Sequence, residues 1–493
     1  MRQTVAILGI PIDILDASQA LQRLEEFILS RRFHQVATAN TDFLEKAMRD
    51  PELKYILQIA DMVVADGMPL VMASRWLRVP LPERVTGVDM VPRLAEMAAQ
   101  KGYRLFMLGA KPEVAARAKA RLESDYPGIQ IVGCLSPPVG HIITMDNETI
   151  LRQIEIARPD ILLVAFGNPK QEKWIHMHRN RLQVPVCIGV GGTFDFLAGA
   201  VARAPVWMQR SGMEWLYRFR QEPRRLWRRY RDDLLFFARY VPLQLWGMRG
   251  YRPAKLDLNE TCPEGSANGS DSETCIAVTG SLHSGSLADL EKMTERALSR
   301  PSRLILDLSK ATGMDSAALG MLLTLPKRAA RWKQEVRLVV PEGRLRQLLR
   351  YAQAHDSLPL YTSLEEARQA EPKALRVCVE MHPTRTVLIL QGRAEVASLP
   401  LLEDSLQKIP NFSRRLDVDM REVSYLECAI LARLFQHAAA MRAQGGQLRL
   451  IPGEATARAL EREGIAAQFQ QADAPGNDRR LPEAAPAKLT SGQ

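Results

Sequence analysis

Apolar and polar positions along the first 200 residues sort into short β-type runs separated by helical stretches. The runs 36–39, 62–65, 103–108, 129–133, 160–166 and 186–190 are almost continuously apolar. Between them lie helix-like segments such as 112–125 and 171–181. Strands without polar alternation, interleaved with helices, predict a parallel α/β sheet covered on both faces. The pattern changes at 204–250, where arginines and aromatics dominate a helical appendage. A polar run, NETCPEGSANGSDSE, then predicts a flexible linker over 251–273, and a similar composition predicts a disordered tail over 472–493.

Between linker and tail the chain repeats itself. RLILDLSKATGMDSAALGML at 303–322 and RLDVDMREVSYLECAILARL at 415–434 both read as a strand, a short loop and a helix. Each is preceded by a strand near 276–280 or 387–392 and followed by one at 336–341 or 447–452. Two small α/β domains, 274–370 and 371–471, are expected.

Composition narrows the class. A chain of 493 residues with 46% hydrophobic and 25% charged residues can bury a full core and predicts two to four domains. Six cysteines without a CxxC pair argue against a zinc site or a disulfide framework and fit a reducing cytoplasm. No signal peptide or run of some 18 apolar residues is evident, so a peripheral rather than a spanning protein is expected. The net charge of +10 is concentrated: between Arg203 and Arg231 nine arginines face two acids, a net of +7. Such a segment calls for a phosphate, a lipid headgroup or a nucleic acid. Arg224, Arg228 and Arg231 share a helix face, with Arg225 and Arg229 beside them and Trp207, Trp215, Trp227 and Tyr230 interleaved. Guanidinium forks hold a diphosphate; the same face with its aromatics suits an anionic membrane surface.

The polar residues that stand out follow strand ends. Thr38, Asn40 and Asp42 come after Val36 of the first run, Asp66 and Gly67 after the second, and Gly109 after the third. Gly167 and Gln171 follow the fifth, and Gly191, Gly192, Phe194 and Asp195 the sixth. In an open parallel sheet the ligand crevice lies outside the carboxyl ends of the strands. Glycines there let backbone N–H groups approach phosphate. Neither GxGxxG nor GxxxxGK[ST] occurs, which disfavours a dinucleotide dehydrogenase or a P-loop enzyme. Asp66 is the candidate general base for a sugar hydroxyl, with a helix N-cap as its structural alternative. No acidic pair at a strand end in the first domain offers a metal site, Asp417-Val-Asp419 has the spacing but lies in the last domain, and His176-x-His178 reads as a surface pair on a helix.

The runs VATANTDFL, ADGMP, PERVTGVDM, FMLGAKP, FGNPKQEKWI, GVGGTFDFLAG, RAPVWMQRSGMEWLYRF and QEPRRLWRRY, in this order over about 5–245, resemble the WecG/TagA/CpsF glycosyltransferases. The resemblance implies a Rossmann-like domain over 1–203 that works as an inverting, metal-independent hexosyltransferase without cofactor. Its donor would be a UDP-sugar of the N-acetylmannosamine, N-acetylmannosaminuronic acid, glucose or glucuronic acid class. Its acceptor would be a polyprenyl-diphosphate-linked sugar at the inner face of the cell membrane, in the synthesis of an envelope or exported polysaccharide. By motif, Asp66 matches the family's proposed base, and Thr38, Asn40, Arg84 and Gln171 its sugar pocket. Gly109, Gly167, Gly192, Phe194, Asp195, Arg218, Arg224, Arg225 and Arg228 are the expected nucleotide and diphosphate contacts.

Both C-terminal repeats resemble STAS domains. Ser316 stands where that family carries its phosphorylatable serine, and Glu427-Cys428 replaces it in the second copy. A protein partner through these domains is expected. The rival reading is a partner-switching regulator whose front domain senses a nucleotide-sugar. Binding of nucleic acid by the arginines is disfavoured, because they directly follow the sugar-type site.

Overall fold

The computed structural model describes residues 2–205, 207–208, 214–221, 223–249, 254–261, 273–300, 303–332, 334–371, 374–409, 414–466 and 469. The chain divides into two units. The first comprises 1–137, 150–175 and 182–370; the second comprises 138–149, 176–181 and 371–493.

The first unit opens with an antiparallel hairpin, β1 (Thr4–Ile7) and β2 (Ile10–Asp13). A six-stranded sheet follows: β3 (His34–Ala39), β4 (Met62–Ala65), β5 (Arg104–Gly109), β6 (Gln130–Leu135), β7 (Ile161–Ala165) and β8 (Val186–Gly189). Its order is β4-β3-β8-β7-β5-β6 and every pairing is parallel. The α/β architecture predicted from the apolar runs is the one observed. Apolar strands fit because both faces are covered: Val36, Val64, Met107, Leu163 and Ile188 pack with the helices Ala17–Ser30, Gly87–Lys101 and Pro112–Asp125, while Ala37, Val63 and Ala65 join the core that holds the hairpin. Local chemistry sets the helix starts, as where Asp16 and Gln19 form a capping box. The appendage consists of the helices Glu214–Gln221 and Pro223–Gly247.

The same unit contains a second sheet, β13-β12-β11-β10-β9, built from β9 (Asp257–Thr261), β10 (Glu273–Leu282), β11 (Arg303–Met314), β12 (Val336–Val339) and β13 (Leu360–Tyr361). β9 corrects the linker expectation over 257–261. It pairs antiparallel with β10 and sets Leu258 against the core. A lone edge strand with one inward leucine carries too little apolar signal to stand out from a polar run. The rest of the linker falls largely, and the tail entirely, outside the described residues.

The helix Ser316–Ala330 of this second sheet packs onto the hairpin. Gly320 makes the approach: a Cβ there would lie 2.4 Å from Thr4 Oγ1 and 3.1 Å from Thr4 O. Lys327 Nζ lies 2.6 Å from Asp61 Oδ1. Gln244, on the long appendage helix, accepts from Leu8 N at 2.9 Å and donates to Ala6 O at 2.8 Å and to Ser316 Oγ at 3.4 Å.

The second unit carries the sheet β14-β15-β16-β17: β14 (Arg376–Met381), β15 (Thr386–Ala394), β16 (Arg415–Leu426) and β17 (Gln447–Pro452). β15, β16 and β17 run parallel, as β10, β11 and β12 do. The repeat is thus one of topology. His176 belongs to this unit and is buried, which corrects its surface reading; its Nε2 lies 3.3 Å from Glu427 Oε2.

Candidate active site at the carboxyl edge of the first sheet

β3 leads outward to β4 and β5 leads outward to β6, while β7 and β8 return to fill the centre. The carboxyl ends of the strands therefore line up residues distant in sequence. Asp66 follows β4, Thr38 and Asn40 stand at the end of β3, and Gly191–Asp195 follow β8. Gly167 follows β7, and Gly109 ends β5.

Asp66 donates its backbone N–H to Ala39 O at 2.7 Å, which ties the β4 and β3 ends together. The helix that follows, Met68–Trp76, has Gly67 as its N-cap, without a side-chain bond. The capping alternative for Asp66 is therefore not the one adopted. Asn40 does act as a cap: its Oδ1 accepts from Phe43 N at 3.3 Å at the start of the helix Thr41–Arg49. A Cβ on Gly67 would lie 3.6 Å from Asn40 Cβ, so Asn40 and the Asp66–Gly67 turn are in contact range. Thr38 is buried and donates to Gly189 O at 3.4 Å.

Gln171, expected at the sugar pocket, stands at the junction of the β7 and β8 ends. It is 1% exposed, and its Oε1 accepts from Gly167 N at 3.1 Å and from Gly191 N at 3.0 Å. Its side chain fastens the β7 end to the β8 end. Its Nε2 donates to Glu172 Oε1 at 2.7 Å, and Asn168 Nδ2 donates to Glu172 Oε2 at 3.2 Å. Burial pushes the Glu172 carboxyl up to about 7 despite these donors. Gly189 makes room for the pair, since a Cβ there would lie 2.5 Å from Gln171 Nε2. Glu172 was not singled out from sequence, where a Gln-Glu pair opening a helix carries no distinctive signal.

Gly109 has φ +107°, and a Cβ on it would lie 2.7 Å from Ala165 O, so a side chain is excluded on both counts. Gly192 opens the short helix Thr193–Leu197. Phe194, expected at the nucleotide, is fully buried in the core, whereas Asp195 remains partly exposed.

Arg84 does not point its charge into open space: its Nη1 lies 2.8 Å from Glu214 Oε2, both side chains largely buried. This pair ties the site's rim to the first appendage helix. Arg229, 3.5 Å from Asp42 and 3.8 Å from Asp233, ties the long helix to the helix that Asn40 caps. Burial, and then the neighbouring Asp42, push Asp233 up to about 7. Arg224 and Arg228 are exposed, and Arg218 and Arg225 fall within the same two helices. Trp215 and Tyr230 meet edge to face at 6.0 Å, and Phe219 lies 6.1 Å from Trp227, which braces the two helices together. Among the described residues, no three metal-ligating side chains converge on this edge.

Ser316 is 0% exposed. Its Oγ contacts Gln244, and it donates to Met248 Sδ at 3.5 Å. Asp315 caps the helix, accepting from Ala318 N at 2.8 Å. The serine read as a phosphosite is thus closed off in this arrangement.

Comparison with known proteins agrees with this architecture. The model of the glycosyl transferase WecG/TagA/CpsF family matches residues 5–250, and that of the STAS domain matches residues 266–367. One STAS domain is therefore shown, not two; the second repeat shares its strand order. The chain is 36% identical over 206 residues to an N-acetylglucosaminyldiphosphoundecaprenol N-acetyl-beta-D-mannosaminyltransferase of Bacillus spizizenii, covering 42% of this chain and 76% of the relative. The enzyme of the same name from Bacillus subtilis is 34% identical over 228 residues, 46% of this chain and 87% of the relative. That from Staphylococcus aureus strain MRSA252 is 32% identical over 216 residues, 43% and 83% respectively. With the parallel sheet, the strand-end residues and the appendage all inside the matched span, the chain belongs to the WecG/TagA/CpsF family and is a hexosyl-transferring glycosyltransferase.

Proposed function

We propose that the chain transfers a sugar from a UDP-sugar to a polyprenyl-diphosphate-linked acceptor, with inversion at the anomeric carbon and without metal or cofactor. N-acetylmannosamine is the donor sugar that the relatives' names favour. The product feeds an envelope or exported polysaccharide, and the enzyme works peripherally at the inner membrane face. Its carrying observation is Asp66: a carboxylate at the β4 end, beside Asn40, with the capping duty left to Gly67. In this reading Asp66 takes the proton of the acceptor hydroxyl as its oxygen bonds to the anomeric carbon. The bond from that carbon to the diphosphate breaks, and UDP leaves with the electron pair. Backbone N–H groups at the glycine turns and appendage arginines such as Arg224 and Arg228 stabilise the charge that builds on it. The partner-switching alternative loses support, because its switch residue Ser316 is buried.

The test is UDP release by the full-length chain from a panel of UDP-sugars, with an acceptor present and EDTA added. The full chain is required because the helix Ser316–Ala330 covers the hairpin. Acceptor-dependent turnover that survives EDTA and falls at least roughly a hundredfold in Asp66→Ala supports the reading, in line with the usual worth of a general base. Turnover unchanged in Asp66→Ala removes the base assignment, and EDTA-sensitive turnover removes the metal-independent route.

A further inference from the structure

A cavity of about 480 Å³ opens beside the end of β4. Met68, Val71 and Arg75 of the helix Met68–Trp76 form one wall; Arg84, Met90 and Arg93 line the other. Val85 N donates to Ala65 O at 2.9 Å, so the cavity starts where β4 stops and Asp66 follows. The volume falls within the ordinary range for a small-molecule site.

Most charges around it are already spent. Arg84 is paired with Glu214, Glu83 accepts from Ala17 N, and Asp89 is held by Thr86 and Arg203. Arg75 and Arg93 are exposed and form no salt bridge among the described residues. The cavity thus offers two uncommitted guanidinium groups above apolar walls.

An apolar track leads away from it. Met68, Met72 and Trp76 follow at i, i+4 and i+8 on one helix face, and Met72 and Trp76 are 44% and 50% exposed. Trp76 reaches Phe237 of the long appendage helix, at 6.4 Å between ring centroids. Leu234 and Leu235 of that helix are exposed as well. Paired cations next to a continuous hydrocarbon track match a diphosphate esterified to a lipid chain.

We propose that this cavity seats the diphosphate of the lipid-linked acceptor on Arg75 and Arg93, with the first isoprene units along Met72 and Trp76. The inference rests on the proposed transfer to such an acceptor and assigns the binding site that reading leaves open. The geometry gives the two substrates separate approaches. The cavity lies at the β4 end of the edge, while Gly109 and Gly167 lie toward β5 and β7. Donor and acceptor diphosphates then reach Asp66 from opposite sides.

The experiment uses the full chain with a UDP-sugar and two synthetic acceptors, N-acetylglucosamine linked through diphosphate to farnesyl or to undecaprenyl. Arg75→Ala/Arg93→Ala is expected to raise the acceptor KM roughly tenfold or more, the usual worth of charge-assisted hydrogen bonds. The donor KM should stay within about twofold, and Arg93→Lys in the Arg75 background should recover part of the loss. Trp76→Ser should penalise the undecaprenyl acceptor more than the farnesyl one. A rise in donor KM instead would hand the cavity to the UDP diphosphate, and unchanged constants would leave it without a substrate; either overturns the proposal. Calorimetric titration with farnesyl diphosphate separates this claim from the underlying one. Arginine-dependent binding by a chain that transfers no sugar would sink the transferase reading and keep the site. Normal transfer by the double variant would do the reverse.

Discussion

Residues chosen for their position after a strand divide into those that face the edge and those that build it. The Asp66–Gly67 turn and Asn40 lie side by side at adjacent strand ends, whereas Gln171 spends its amide on Gly167 and Gly191. Sequence position tells only that a residue follows a strand; it does not tell which way a side chain turns once a neighbouring strand offers it two free N–H groups. The same turn hides Glu172, whose carboxyl burial pushes up to about 7. A carboxyl raised on folding contributes stability below its unfolded value near 4.5 and loses it as pH rises through about 7. Glu172→Gln keeps the shape and cannot ionise. Its melting temperature relative to wild type should therefore rise between pH 5 and pH 8, by an amount approaching about 3 kcal/mol of relative stability at the upper end. Thermal melts across that window check this. A difference that shrinks with pH would mean that Glu172 is folded as the carboxylate.

At the scale of elements, strands buried on both faces were legible because nothing polar interrupts them, and the repeat was legible because strand, loop and helix recur with it. The hairpin β1–β2 and the edge strand β9 were not. The hairpin stands outside the strand–helix alternation that marks the other strands, and its burial is completed by a helix more than 300 residues away. That helix also accounts for the fate of Ser316, which a local motif cannot show. Gln244 joins three elements in one side chain, bonding Leu8, Ala6 and Ser316. Gln244→Ala strands a buried N–H and a buried carbonyl and is expected to cost about 2–4 kcal/mol. Gly320→Val goes further, because its new Cβ meets the Thr4 backbone and the helix must lift. Both should raise hydrogen exchange in residues 4–13 and in the last turns of the long helix, with the parallel sheet left protected. Protection of the hairpin unchanged in Gly320→Val would mean that the STAS helix does not cover it in solution.

For the whole molecule, the appendage over 204–250 carries ten arginines against four acids, a net of +6, and leaves its tryptophans outside. Trp207, Trp215 and Trp227 are each more than half exposed, as are Leu234, Leu235 and Trp246. A folded chain rarely leaves this much aromatic and leucine surface beside arginines without a surface to receive it. No helix among the described residues is long and apolar enough to cross a membrane. On the proposed transfer to a lipid-linked acceptor, this surface is the expected contact with the bilayer. Arginines supply the long-range attraction and tryptophans the interfacial anchoring, and the two differ in salt dependence. Full-length protein should therefore partition onto vesicles containing phosphatidylglycerol and much less onto pure phosphatidylcholine. Arg224→Ala/Arg228→Ala should weaken the anionic binding by roughly thirtyfold in low salt, at about 1 kcal/mol per arginine, and by much less in 0.5 M salt. Trp215→Ser/Trp227→Ser should weaken it at both salt concentrations, since burying an indole does not depend on screening. Equal partitioning to neutral and anionic vesicles would assign the arginines entirely to substrate. Loss of transfer with vesicle binding intact in the arginine variant would point the same way, and would put the membrane contact on the tryptophans alone.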